Sequence, residues 1–154
     1  MRIRLKIMSR VLSLHHIIIS THHRRSTITP DFESDLYRVI ANYFSKKKCF
    51  LHAINGMPEH IHILFDLNPT MSLSDVIGEL KRETSLWMKQ SGFFPQFDGW
   101  CSGFCALGVS LSIKPNVIRY IQSQKTHHQK ATFDDEISKI YEVNGFLNHP
   151  DELM

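Results

Sequence analysis

The sequence predicts an α+β protein of the ferredoxin-like, split β-α-β plan, an antiparallel sheet with helices on one face and a C-terminal tyrosine-bearing helix. Three observations predict it. Short apolar runs alternate with amphipathic stretches in the order β-α-β-β-α-β followed by helices; strong turn residues separate the central two strands; helix-capping signals open the amphipathic stretches. A chain of 154 residues is the size of one ordinary domain, so a single domain over residues 1–154 is expected. Met1–Ile7 reads as an N-terminal extension, with Met8 an alternative start.

Leu12 to Thr21 is rich in β-branched and apolar residues, and Arg24-Arg25-Ser26 ends the pattern, which gives the first strand. Thr29-Pro30-Asp31 supplies a capping hydroxyl, a first-turn proline and an acid ahead of Phe32, Leu36, Val39, Ile40, Tyr43 and Phe44, spaced as on one helix face. Cys49 to Ile54 and Ile61 to Leu67 flank Asn55-Gly56-Met57-Pro58 and should pair as antiparallel strands. Ser72 with Asp75 opens a second helix carrying Val76, Ile77, Leu80, Trp87 and Met88, and Gly92 ends it. Gly103 to Leu111 reads as a weaker strand because its glycines cost order. Pro115 starts a helix running to about His128, and Thr132 with Asp135 caps a last helix that stops near Asn144-Gly145.

Composition narrows the function classes. With 42% hydrophobic and 21% charged residues, and no run near the roughly 20 apolar residues that span a bilayer, no membrane segment is expected. The start is basic, but the histidines within Val11 to Ile19 and the lack of a small-residue cleavage site argue against a signal peptide. Cys49, Cys101 and Cys105 are odd in number and lack CxxC spacing, which argues against a disulfide framework or structural zinc and fits a reducing, cytoplasmic setting. A formal charge of +3 permits a nucleic-acid partner without requiring one.

The chemistry-bearing residues lie in two places. His60 and His62 are two apart at the start of a strand, so their side chains leave the same face about 7 Å apart along the chain and can converge on one ion, while Ile61 and Ile63 point to the other face. Taken alone, such a pair is ordinarily two half-exposed strand positions. Further along, Tyr120 and Gln124 are i and i+4 on one helix face, and Val117, Ile118 and Ile121 form an apolar stripe about a quarter turn away. A tyrosine at that margin is ordinarily a packing residue with its hydroxyl in water.

Together the two pieces resemble the HUH-superfamily single-tyrosine transposases of bacterial insertion sequences, related to the REP-associated tyrosine transposases. The resemblance runs from Leu14-His15-His16-Ile17-Ile18-Ile19-Ser20-Thr21 and Arg24-Arg25, through Asn55-Gly56-Met57-Pro58-Glu59-His60-Ile61-His62, to Val117-Ile118-Arg119-Tyr120-Ile121-Gln122-Ser123-Gln124-Lys125. It implies a single HUH transposase domain with Tyr120 as nucleophile and His60, His62 and Gln124 as metal ligands. The implied cofactor is a divalent ion, Mg²⁺ or Mn²⁺; by ligand chemistry alone, two imidazoles and an amide suit Mn²⁺ or Zn²⁺ better than Mg²⁺, which prefers oxygen ligands. The implied partners are single-stranded DNA with hairpin ends and a second copy of the chain, as a homodimer in which one subunit's tyrosine can complete the other's site.

Around that centre, Arg24, Arg25, Lys46, Lys47 and Lys48 are the expected contacts to the DNA backbone. Trp100 is expected in the core, and His22-His23 and His127-His128 as exposed polar residues. Two alternatives bear on function: a non-catalytic ferredoxin-like module that binds single-stranded nucleic acid, and a domesticated HUH endonuclease with the same chemistry but no mobility. The first predicts stacking aromatics on the central strands, where this chain has His-Ile-His-Ile-Leu-Phe.

Overall fold

The computed structural model of the protein describes residues 9–146. The expected N-terminal extension and the alternative start at Met8 lie outside the described residues. Four strands form one sheet: β1 (Leu14–Ser20), β2 (Phe50–Met57), β3 (His60–Asp66) and β4 (Cys105–Val109), in the order β2-β3-β1-β4 with every neighbouring pair antiparallel. Among the described residues five α-helices accompany it: α1 (Glu33–Lys46), α2 (Leu73–Ser91), α3 (Lys114–Gln122), α4 (Gln124–His127) and α5 (Phe133–Val143). None of the described helices is long and apolar enough to cross a membrane.

Strand alternation sorts the side chains onto two faces. Ile17 and Ile19 of β1, with Ile61, Ile63 and Phe65 of β3, are fully buried against Leu36, Ile40 and Phe44 of α1 and Val76, Ile77 and Leu80 of α2. This is the expected arrangement of the two connecting helices on one face. Ser72 caps α2 by accepting from the Asp75 amide at 3.1 Å, and Gly92 ends it at φ 76°, a left-handed conformation that glycine adopts without a Cβ penalty. The residues between, Ile18 and Leu64, face the other way, where they pack with Phe133 and Ile137 of α5 and with Ile121 of α3. The tyrosine helix and the last helix therefore cover the second face, on the side to which His60 and His62 point.

The hairpin that presents the histidines is tighter than its sequence suggests. Asn55, Gly56 and Met57, expected in the turn, continue β2 and pair with His62, Ile61 and His60, leaving Pro58-Glu59 as the connection. The turn is tied down from outside: the Pro58 carbonyl accepts from the Thr27 and Ile28 amides at 3.0 and 2.9 Å, and the Glu59 carbonyl from the Thr21 amide at 2.9 Å. Glycine is needed at position 56 because a Cβ there would stand 2.2 Å from the His60 carbonyl oxygen and 2.8 Å from Ile61 Cα. Gly56→Ala is accordingly expected to destabilise the fold by about 1–3 kcal/mol, as overpacking does. Urea unfolding checks this, and an unchanged midpoint would show that the hairpin yields without cost.

β4 is shorter than expected. Gly103 lies outside it, and its carbonyl, with that of Cys101, accepts from the Lys81 ammonium instead of entering the ladder. Trp100 packs at the margin of the main core and donates to Thr84 Oγ1 at 3.0 Å, as a core residue would. The three cysteines are free and buried. The helix expected from Pro115 to His128 is broken at Ser123 (φ −91°, ψ 10°), which separates α3 from α4. α5 begins with a complete capping box: Thr132 and Asp135 each bond the other's backbone amide.

Candidate metal and nucleophile site

The second face of the sheet gathers the expected residues into one cluster. His60 and His62, both fully buried, project from β3; Tyr120 comes from the last turn of α3, and Gln124, also fully buried, from the first residue of α4. His60 Nε2 stands 3.2 Å from Gln124 Oε1, and the Tyr120 ring lies 5.6 Å from that of His62. The tyrosine helix is seated by Ile121, Val117 and Ile118 against Leu14, Ala53 and Leu64. Lys125 pins its end to the β2–β3 hairpin, donating to the Gly56 carbonyl, to Asn55 Oδ1 at 3.2 Å and to Glu33 Oε2 at 2.9 Å.

Four further side chains, Glu136, His16, His127 and His128, belong to the cluster although none was among the site residues expected from the sequence. Glu136 of α5 is at its centre. Its Oε1 lies 2.9 Å from His62 Nε2 and 3.3 Å from His60 Nε2, and its Oε2 accepts from the Tyr120 hydroxyl and from Gln124 Nε2 at 3.1 Å. His16 of β1 stands behind His62, Nε2 to Nδ1 at 2.8 Å. His128 reaches Gln124 Oε1 at 2.9 Å and Glu136 Oε1 at 3.3 Å, and only 4% of its side chain is exposed. His127 is half-buried, with Nε2 3.3 Å from Glu136 Oε2 and its ring 5.7 Å from that of Tyr120. The expectation of exposed polar histidines at 127–128 is therefore wrong for both, because they lie three and four residues beyond Gln124, on the helix face that Gln124 turns into the cluster. His23 is exposed, as expected, and His22 partly so, with Nδ1 3.1 Å from Asp98 Oδ2. For Glu136 a signal existed: Phe133, Glu136, Ile137 and Ile140 recur at i, i+3, i+4 and i+7, which puts a carboxylate on the apolar face of α5.

Burial and the central carboxylate set the protonation of the cluster. Burial pushes His62 down to about 4 and His16 down to about 3, so both are neutral at pH 7 with a lone pair available. Burial also opposes the charged form of His60, but hydrogen bonds to Glu136 and Glu59 outweigh it and leave its pKa above the ordinary histidine value. Burial would raise the Glu136 carboxyl, yet the bonds from His60 and His62 hold it well below the carboxylate range. Burial and the bond to Glu136 push the Tyr120 phenol well above its usual value. Tyr120 is thus held as a phenol beside a weakly basic carboxylate.

The donor set fits a divalent cation. The imidazole nitrogens of His60 and His62 and a Glu136 carboxylate oxygen lie within 4.8 Å of one another, and the amide oxygen of Gln124 adds a fourth donor beside His60. Imidazole nitrogens and oxygen atoms converging in a buried cluster are donors that a divalent cation takes.

The expected DNA contacts divide between the two ends of the sheet. Arg24 and Arg25 follow β1 at the end where Ser20 pairs with His60. Arg24 pairs with Asp134 of α5 and sits 5.3 Å from the centroid of Phe133, which stacks on His60 at 4.0 Å. Arg24 also lines an open cleft of about 810 Å³ with Glu59, His128 and Lys130, beside the cluster. Arg25 is exposed near Asp98 at 3.4 Å. Lys46, Lys47 and Lys48 lie instead at the end where Phe50 pairs with Asp66, across the sheet from His60, and Lys47 is paired with Glu79 at 2.7 Å. The structure does not bring these three lysines to the site.

Comparison with known proteins gives a consistent family. The family model described as "Transposase IS200 like" matches residues 10–124. The ISDra2 transposase TnpA of Deinococcus radiodurans is 21% identical over 117 residues, which cover 71% of this chain and 82% of that protein. A crystal structure from Deinococcus radiodurans R1, described as that of a candidate transposase, superposes with a TM-score of 0.59 at 21% identity, covering 77% of this chain and 96% of the other. A REP-associated tyrosine transposase bound to a REP hairpin superposes with a TM-score of 0.60 at 16% identity, covering 80% and 74%.

Proposed function

Because the chain belongs to the IS200-like transposase family, we propose that it moves an insertion sequence by cutting and rejoining single-stranded DNA through a 5′-phosphotyrosine on Tyr120. The observation that carries this reading is the meeting of a tyrosine hydroxyl and two buried imidazoles in one cluster, contributed by separate elements. A structural tyrosine has no need of such neighbours.

In the proposed reaction the Tyr120 oxygen attacks the scissile phosphorus. The P–O3′ bond breaks as the tyrosyl P–O bond forms, and the phenolic proton is lost while the departing 3′-oxygen gains one. The products are a 5′-phosphotyrosine and a free 3′-hydroxyl. The phosphodiester bond is conserved in the linkage, so attack by another 3′-hydroxyl rejoins DNA without ATP. His60, His62 and Gln124 would hold the divalent ion, Mg²⁺ or Mn²⁺, which when bound offsets the charge developing on the phosphoryl oxygens. His16 orients the His62 ring through Nδ1, and His128 orients the Gln124 amide through Oε1. Arg24 and Arg25, at the same end of the sheet, are the proposed backbone contacts.

The substrate proposed is a single strand carrying a hairpin, a reading supported by the hairpin bound to the REP-associated relative. The protein is proposed to act as a homodimer, the α3 tyrosine completing either its own site or its partner's.

The test is an incubation with Mn²⁺ and a hairpin-bearing single strand labelled on its 3′ side. A labelled adduct that survives denaturation is expected, with little from the same sequence as a duplex. Equal cleavage of the duplex would overturn the single-strand substrate. His16→Ala is expected to lower Mn²⁺ affinity about 10–100-fold, as loss of a partner behind a ligating histidine does. Calorimetric titration with Mn²⁺ reads this, and unchanged affinity would remove His16 from the support of the ion.

A further inference from the structure

We infer that Glu136 is itself a ligand of the ion held by His60 and His62, through Oε1, while its Oε2 positions the Tyr120 hydroxyl. The inference rests on the metal centre proposed above and adds to it a residue beyond the segment, 10–124, that the family model matches.

Distances support it first. Nitrogen and oxygen ligands about 2.1 Å from a shared ion stand about 3.0 Å apart in an octahedral set and about 3.4 Å apart in a tetrahedral one. Glu136 Oε1 is 2.9 Å from His62 Nε2 and 3.3 Å from His60 Nε2, and His60 Nε2 is 3.2 Å from Gln124 Oε1. These atoms already have the mutual spacing of ligands.

Burial supports it next. The Glu136 side chain is 1% exposed and lies on the apolar face of its helix, between Phe133 and Ile137 of a hydrophobic cluster. A carboxylate in such a place is costly unless it is paired or coordinates a metal. Its placement is also firmly built: the Thr132–Asp135 capping box fixes the start of α5, and Phe133 stacks on His60 with ring planes 7° apart. The two oxygens then divide the work. Oε1 faces His60, His62 and His128, and Oε2 faces the Tyr120 hydroxyl, the Gln124 amide and His127 Nε2 at 3.3 Å, so one side chain ties ion and tyrosine together.

The experiment is Mn²⁺ titration of the full chain, followed both by calorimetry and by the electron paramagnetic resonance signal of free Mn²⁺. Wild type, Glu136→Ala, Glu136→Gln and the double variant His60→Ala with His62→Ala are compared. Binding about tenfold weaker or more is expected for both Glu136 variants, and no specific binding for the histidine pair. The Gln variant is close in shape and keeps the bond to Tyr120, so it carries the test if the Ala variant fails to fold. Mn²⁺ affinity equal to or tighter than wild type in the Gln variant would overturn the ligand role and leave the histidine site standing. Specific Mn²⁺ binding that survives in the histidine variant, or none in wild type, would overturn the metal centre itself.

Discussion

Tyr120→Phe is expected to abolish the denaturation-resistant adduct and to lower strand cleavage by at least about 10³-fold, the scale on which enzymes lose rate when their nucleophile is removed. The change deletes one oxygen. The Phe ring keeps the packing against Leu14, Ala53 and Leu64 that seats α3, and the bonds lost are the one donated to Glu136 and the contact with the Gln124 amide. A cost of about 1 kcal/mol in stability is expected for that loss, too little to unfold the domain. Mn²⁺ affinity should change little. An adduct formed as well by the Phe variant would take the nucleophile role away from Tyr120 and leave the family assignment untouched.

The second large effect is expected from His60→Ala with His62→Ala. These side chains are fully buried and supply the two imidazole nitrogens of the proposed ion site, so their removal should end ion binding and with it the offset of phosphoryl charge. A loss of about 4 kcal/mol of transition-state stabilisation corresponds to about 10³-fold in rate. Cleavage by the double variant that stayed unchanged, and stayed dependent on the ion, would place the metal elsewhere. The variant also leaves Glu136 with fewer donors, so its unfolding midpoint should be measured alongside. Tyr120→Phe serves as the comparison in which the ion site is intact and the nucleophile is gone.

Local signals in the sequence were strong where one element decides the outcome. The alternation in His60-Ile61-His62-Ile63 fixes which side chains share a face, and the structure buries Ile61 and Ile63 against α1 and α2 with the histidines on the opposite side. The caps at Ser72, Gly92 and Thr132 mark helix ends for the same reason: each satisfies backbone groups of its own element. Signals were weak where the outcome depends on what packs against an element. Asn55-Gly56 reads as a turn by residue type, yet pairing with His62 and Ile61 carries it into β2. His127 and His128 read as surface residues, yet α5 brings Glu136 within 3.3 Å of each of them.

Glu136 was the most instructive omission among the site residues. Its place on the apolar stripe of α5 was visible, but which partners would meet it depended on α5 crossing the same face of the sheet as α3. The lysines show the converse. Lys46, Lys47 and Lys48 form an obvious basic run in the sequence, and the antiparallel path of α1 carries that run to the end of the sheet away from His60.

The central claim is that Tyr120 becomes covalently joined to DNA. The most direct measurement is mass spectrometry of the protease-digested adduct formed with Mn²⁺ and the hairpin-bearing strand. The account predicts a single modified peptide containing Tyr120, its mass increased by the 5′-phosphorylated nucleotide that remains after nuclease trimming. A nucleotide found on Tyr37, Tyr43 or Tyr141, or strand cleavage with no modified peptide at all, would contradict it.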